Sequence, residues 1–123
     1  MKITLAKTAG FCFGVNRAID MVEDLLKSDK KVSTLGPIIN NSEVVNDLAF
    51  RGAAYVDTPS DADIDSMLVI RSHGVAECVV KEIEHLGIEY TDATCPFVRK
   101  IHKIVKNAGD STVIIAGDSN HPE

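Results

Sequence analysis

Apolar positions along this chain follow two rhythms that take turns. Val15, Ala18, Ile19, Val22, Leu25 and Leu26 form one stripe at helical spacing, with Asp20, Glu23, Asp24 and Lys27 on the opposite side. Ser28 to Lys31 ends that helix, and Val32 to Leu35 reads as a strand stopped by Gly36-Pro37. Asn40-Asn41-Ser42 offers N-caps for a second helix, with Val44, Val45, Leu48 and Ala49 inward and Gly52 closing it. A short strand is predicted at Ala53 to Val56. Thr58-Pro59-Ser60-Asp61 is a turn cluster, and Asp61, Asp63 and Asp65 read as a solvated loop or the first turn of a short helix. Met67-Leu68-Val69-Ile70 is a continuous apolar run, typical of a parallel strand covered on both faces. Val79, Val80, Ile83 and Leu86 mark the next helix, with Gly87 at its C-terminal end. A strand follows at Ile88 to Thr91, then a helix carrying Phe97, Val98, Ile101, Ile104 and Val105. Residues 2–6, with Ile3, Leu5 and Ala6 apolar, and Thr112 to Ala116 predict a strand near each end.

Regular alternation of strand and helix predicts an α/β fold with parallel strands. Ligands of such sheets collect at the carboxyl ends of the strands. That edge should hold Gly10-Phe11-Cys12, Ile39-Asn40-Asn41, Ser72-His73-Gly74, Thr94-Cys95-Pro96 and the segment from Gly117 to Glu123.

Composition narrows the picture without redirecting it. With 123 residues, 45% hydrophobic and 25% charged, the chain has an ordinary globular composition and a length suited to one domain. A net charge of -5 speaks against a nucleic-acid or anionic-membrane partner, while leaving room for a local basic pocket. Three cysteines far apart in sequence make no disulfide framework. Met1 to Leu5 is too short an apolar run for a signal peptide, and no stretch approaches the ~20 apolar residues of a membrane span. A reduced, cytoplasmic protein is expected.

The chemistry gathers around two cysteines. Cys12 stands between Gly10 and Gly14, directly ahead of the first helix, where a backbone without Cβ atoms can approach a ligand closely. The positive end of that helix favours the thiolate that a metal requires. Cys95 repeats the arrangement, in an N-cap position with Pro96 at the first helical position. The bland alternative for both is a small buried hydrophobe. Cys78 lies within a helical run and reads as packing. His73 should project at the ligand edge, or be satisfied by loop backbone; His85 and His102, among charged neighbours on helices, read as surface. His121 and Glu123 flank Pro122, and a carboxyl two residues from an imidazole suits proton transfer or anion binding. Neither C-x-x-C nor H-x₃₋₅-H occurs, so the spacing is not a zinc pattern. Residue chemistry alone leaves iron–sulfur ligation, or no metal at all.

Four stretches together resemble one family. Gly-Phe-Cys-Phe-Gly-Val-Asn-Arg-Ala at 10–18, Arg-Ser-His-Gly-Val at 71–75, Asp-Ala-Thr-Cys-Pro at 92–96 and Asn-His-Pro-Glu at 120–123 are similar to successive signatures of the LytB family, the 4-hydroxy-3-methylbut-2-enyl diphosphate reductases. The resemblance implies the last step of the methylerythritol phosphate route. Two electrons and two protons remove the allylic hydroxyl as water, giving isopentenyl and dimethylallyl diphosphates. It implies a [4Fe–4S] cluster held by three cysteines at the centre of three similar α/β domains, with one iron left open. By motif, Cys12 and Cys95 match two of those ligands, His73 and His121 match diphosphate-binding histidines, and Glu123 matches the proton-delivering carboxylate. An external electron donor such as ferredoxin or flavodoxin is also implied.

Two departures accompany the resemblance. Asn40-Asn41 stands where the family usually has His-Asn; Asn40 can donate a hydrogen bond to phosphate but carries no charge. The match also covers roughly the first two-fifths of the family. Residues 1–95 are therefore expected to form the first α/β domain and 96–123 the truncated beginning of the second, with the third cluster cysteine absent from this chain. The 123 residues alone are expected to be inactive. A truncated or degenerate relative acting as a binding or structural module is the alternative, and a thiol-redox protein using Cys12 and Cys95 a weaker one.

Overall fold

The computed structural model describes residues 1–28 and 30–117. Four strands, Lys31–Leu35 (β1), Ala53–Val56 (β2), Ser66–Ile70 (β3) and Tyr90–Asp92 (β4), form one sheet in the order β2-β1-β3-β4. Every pair is parallel. Four helices alternate with them: Phe13–Leu26 (α1), Ser42–Phe50 (α2), Glu77–Leu86 (α3) and Pro96–Asn107 (α4). The α/β class and the parallel sheet stand as the periodicity predicts.

Side chains of β1 and β3 alternate between two cores, because successive residues of a strand point to opposite faces. Val32 and Val69 join Ala18 and Val22 of α1 and Leu48 of α2 on one face. Leu35, Leu68 and Ile70 meet Ile83 of α3 on the other. β3 is buried along its whole length, which is why it reads as an unbroken apolar run. Two serines share the α3 face of the sheet interior. Ser33 donates to the Ser66 hydroxyl at 3.0 Å, and that hydroxyl donates to the Asp63 carbonyl at 2.7 Å, so neither is left buried without a partner.

Three expectations fail. Ile3 to Ala6 and Thr112 to Ala116 form no strand; Leu5 is 83% exposed and Ile114 89%. An apolar run signals a segment that gains from cover, but a ladder also requires a neighbouring strand, and none of the described strands pairs with either segment. Cys78 does not pack. It is exposed in the first turn of α3, one position off the stripe of Val79, Val80 and Ile83 that faces the sheet. The stripe of α4 is real but mostly uncovered: Val98 is buried, whereas Phe97 is 71% and Ile104 62% exposed.

Candidate functional site

α2 and α3 return between parallel strands and so begin at the carboxyl edge of the sheet, and α4 starts there after β4. α1 leads into the opposite end of β1, and the contact of Gly14 with Cys95 brings the starts of α1 and α4 together. The N-caps of α1 to α4 are Cys12, Asn41, Ala76 and Cys95. Asn41 caps in the ordinary way, accepting from the Val44 amide at 3.1 Å. Cys12 and Cys95 make no such bond. Two helix N-termini thus present first-turn amides without a capping side chain, each beside a sulfur, which suits a ligand of negative charge.

Backbone bonds carry the sheet ladder past the ends of the strands. The Ala93 amide donates to Ile70 at 3.0 Å, Cys95 to Ser72 at 2.8 Å, and Ser72 to Ile38 at 3.1 Å. Loops after β1, β3 and β4 are therefore extensions of the sheet rather than free connections. Asp92 shapes the last one. Its Oδ1 accepts from the Thr94 amide at 2.8 Å, an Asx turn, while Oδ2 accepts from Arg99 Nη2 at 2.8 Å.

Cys12 and Cys95 come to the same corner. A Cβ on Gly14, two residues beyond Cys12, would stand 2.5 Å from Cys95 Sγ. The glycine leaves a hollow on the first turn of α1, and the sulfur of the other loop occupies it. Gly10 faces open space, so of the two glycines flanking Cys12 only Gly14 is needed for close approach. Arg17, one turn into α1, donates to the carbonyls of Thr94 at 3.4 Å and Asp92 at 3.5 Å. Arg17 and Asp92 thus belong to this corner, and both lie within the motifs. Asp two residues before Thr94 is a readable Asx-turn signal, whereas nothing local distinguishes Arg17 from a solvated arginine.

His73 is half-buried in the turn after β3. The Gly74 amide donates to Arg71 at 2.9 Å to close that turn, and Gly74 holds φ at 78°, a conformation that disfavours any other residue. A Cβ there would also stand 2.9 Å from His102 Cε1 and 3.1 Å from Thr94 Cγ2. His102 is exposed, as expected, yet it leans on the His73 turn. His85 is exposed on α3, and Asn40 is exposed in the loop after β1. His121 and Glu123 lie outside the described residues. A cleft of about 480 Å³ sits elsewhere along the edge, between α3 and the loop after β2, lined by Thr58, Ser60, Arg71, Val79 and Glu82. Among the described residues, no three His, Cys, Asp or Glu side chains stand together as a metal site. Of the described residues, the corner at Gly14 brings together two thiols, those of Cys12 and Cys95.

The geometry defines a parallel α/β domain that sets two free cysteines, Cys12 and Cys95, as N-caps at one corner of its sheet. The LytB protein family model matches residues 3–123, and the chain belongs to that family. It is 43% identical over 129 residues to a 4-hydroxy-3-methylbut-2-enyl diphosphate reductase of Pelobacter propionicus and 44% identical over 127 residues to one of Clostridium perfringens. It spans 44% and 45% of the length of those relatives while they cover 100% and 98% of it. Among solved structures it is similar to an (E)-4-hydroxy-3-methyl-but-2-enyl diphosphate reductase described as the terminal enzyme of the non-mevalonate pathway. The TM-score is 0.80 and the identity 38%, over 98% of this chain and 43% of that one. The Plasmodium falciparum reductase matches at a TM-score of 0.85 and 30% identity, over 94% of this chain and 37% of that one. No helix of the described residues is long and apolar enough to cross a membrane.

Proposed function

We propose that this chain is the N-terminal portion of a cytoplasmic 4-hydroxy-3-methylbut-2-enyl diphosphate reductase, and that it contributes two of three thiolate ligands to a [4Fe–4S] cluster. The observation that carries this reading is the hollow at Gly14 filled by Cys95 Sγ, two residues from Cys12. The two uncapped helix N-termini beside the sulfurs suit the negative charge of a thiolate-bound cluster. The cluster would supply electrons, delivered by an external donor such as ferredoxin or flavodoxin, and an iron with an open position for the substrate hydroxyl.

The chain's other residues bind and orient. His73 and His121 donate hydrogen bonds to the diphosphate, with Asn40 adding an uncharged donor from the loop after β1. Glu123 carries protons to the leaving hydroxyl. Residues 1–95 form the first domain and 96–123 begin the second. In support, β4 completes the described sheet before residue 95, and α4 leaves most of its apolar stripe uncovered. The third cysteine comes from the remainder of the complete reductase, so the 123 residues alone neither hold a full cluster nor turn over substrate.

Anaerobic reconstitution tests this. The complete reductase should take up a full complement of iron and sulfide, and Cys12→Ser or Cys95→Ser should each abolish most of it together with activity. Full iron in either variant overturns the reading, as does a full, active cluster on the 123-residue chain.

A further inference from the structure

We propose that Gly14 and Arg17 are positioning residues: they dock the start of α1 onto the Cys95 loop and hold the two sulfurs at one separation before any metal arrives. This deepens the proposed function and rests on its ligand assignment. Both residues lie on α1, three positions apart and therefore on one face of the helix, in its first turn and a half after Cys12. Gly14 acts by what it lacks. An alanine would put its Cβ 2.5 Å from Sγ and 3.1 Å from Cβ of Cys95, so the sulfur would have to leave the hollow, by rotation about χ1 or by retreat of its loop.

Arg17 acts by what it grips. Nη1 and Nη2 of one planar guanidinium donate to the carbonyls of Thr94 and Asp92, at 3.4 and 3.5 Å. Each bond is long, but the fork fixes an orientation as well as a distance, and a lysine could satisfy only one carbonyl at a time. The Cys95 segment is thus held on three sides: by Ser72 through its amide at 2.8 Å, by the Gly14 hollow against its sulfur, and by Arg17 behind its carbonyls. Cys95 is also the N-cap of α4, so its position is set at the foot of two helices at once. Pairing the thiols in advance reduces the ordering that ligand binding must otherwise supply.

The test uses the reduced 123-residue chain and a short bifunctional alkylating reagent, with bridged peptides identified by mass. The unsubstituted chain should form a Cys12–Cys95 bridge while Cys78 reacts singly. Gly14→Ala and Arg17→Ala should each slow bridging at least about fivefold. Arg17→Lys should fall between. The far-ultraviolet circular dichroism and the urea midpoint of each variant should show a cooperatively folded chain, which an unfolded variant would not. Should Gly14→Ala fail to fold, the two Arg17 variants decide. Bridging at the unsubstituted rate in the folded variants overturns the proposal, and so does absence of the bridge in the unsubstituted chain. If bridging responds as expected but the complete reductase takes up no iron, the positioning role stands and the cluster assignment falls.

Discussion

The amide of Cys95 donates to the carbonyl of Ser72 at 2.8 Å, joining the loop after β4 to the loop after β3 beyond the last paired residues of either strand. A cysteine there is anchored by its backbone like a strand residue, while its sulfur sits in the hollow at Gly14. Hydrogen exchange should reveal this. Amides of Ser72, Ala93 and Cys95 should exchange on the time scale of β3, whereas the Asn40 amide and those of residues 112–116 exchange within the fast class. Equal, fast exchange at Cys95 and Asn40 would contradict the anchoring.

Asn41 and Asn40 are neighbours with separable roles. Asn41→Ala removes the cap on Val44 and should cost about 1 kcal/mol by denaturant unfolding, with Asn41→Ser restoring most of it.

Asn40 is exposed, so Asn40→His should leave stability unchanged within about 0.5 kcal/mol. In the complete reductase it should lower KM for the diphosphate, because an imidazolium adds charge to a hydrogen bond that asparagine makes neutral. An unchanged or raised KM would remove position 40 from the diphosphate site.

Glu77, in the first turn of α3, pairs with Lys106 of α4 at 3.1 Å and Lys81 at 3.5 Å. The hydrogen bond and charge of Lys106, then the charge of Lys81, hold its carboxyl below the ordinary glutamate range. A lowered carboxyl pKa in the folded state stabilises above the unfolded-state value, and that contribution is lost as pH falls through the folded-state value. The difference in Tm between the chain and its Glu77→Gln variant should therefore be constant at neutral pH and close to zero in acid. Because the pair is exposed, the difference should be small and should shrink further in high salt. A gap that widens in acid would reverse the sign.

Ile104 tests where the second domain begins. Replacing it with glutamine should change the stability of the 123-residue chain by less than about 0.5 kcal/mol, since the side chain is largely exposed. In the complete reductase the same change should cost about 2 kcal/mol, the scale of an apolar side chain removed from cover. Equal small effects in both would return α4 to the first domain.

Much of the fold was legible in the chain because its signals are local. The helical stripe of α1, the unbroken apolar run of β3 and the glycine that caps α3 depend on residues within a few positions of one another. The cysteines at two helix starts were legible for the same reason. Cys78 was misread because a helical run indicates that a face is buried, but not on which side of its margin a given residue falls.

What the sequence determined by itself is the alternation of elements, and with it the edge at which Cys12, His73 and Cys95 arrive: parallel strands return through helices, and every such helix begins at that edge. Only the tertiary structure decided that Cys95 sits in the hollow at Gly14 under the grip of Arg17, and that the apolar runs near the two ends form no strand. Those outcomes join residues far apart in sequence, Gly14 with Cys95 and Arg17 with Thr94, the latter 77 positions apart, or depend on the presence of a neighbouring strand. Spacing along a chain carries no measure of either.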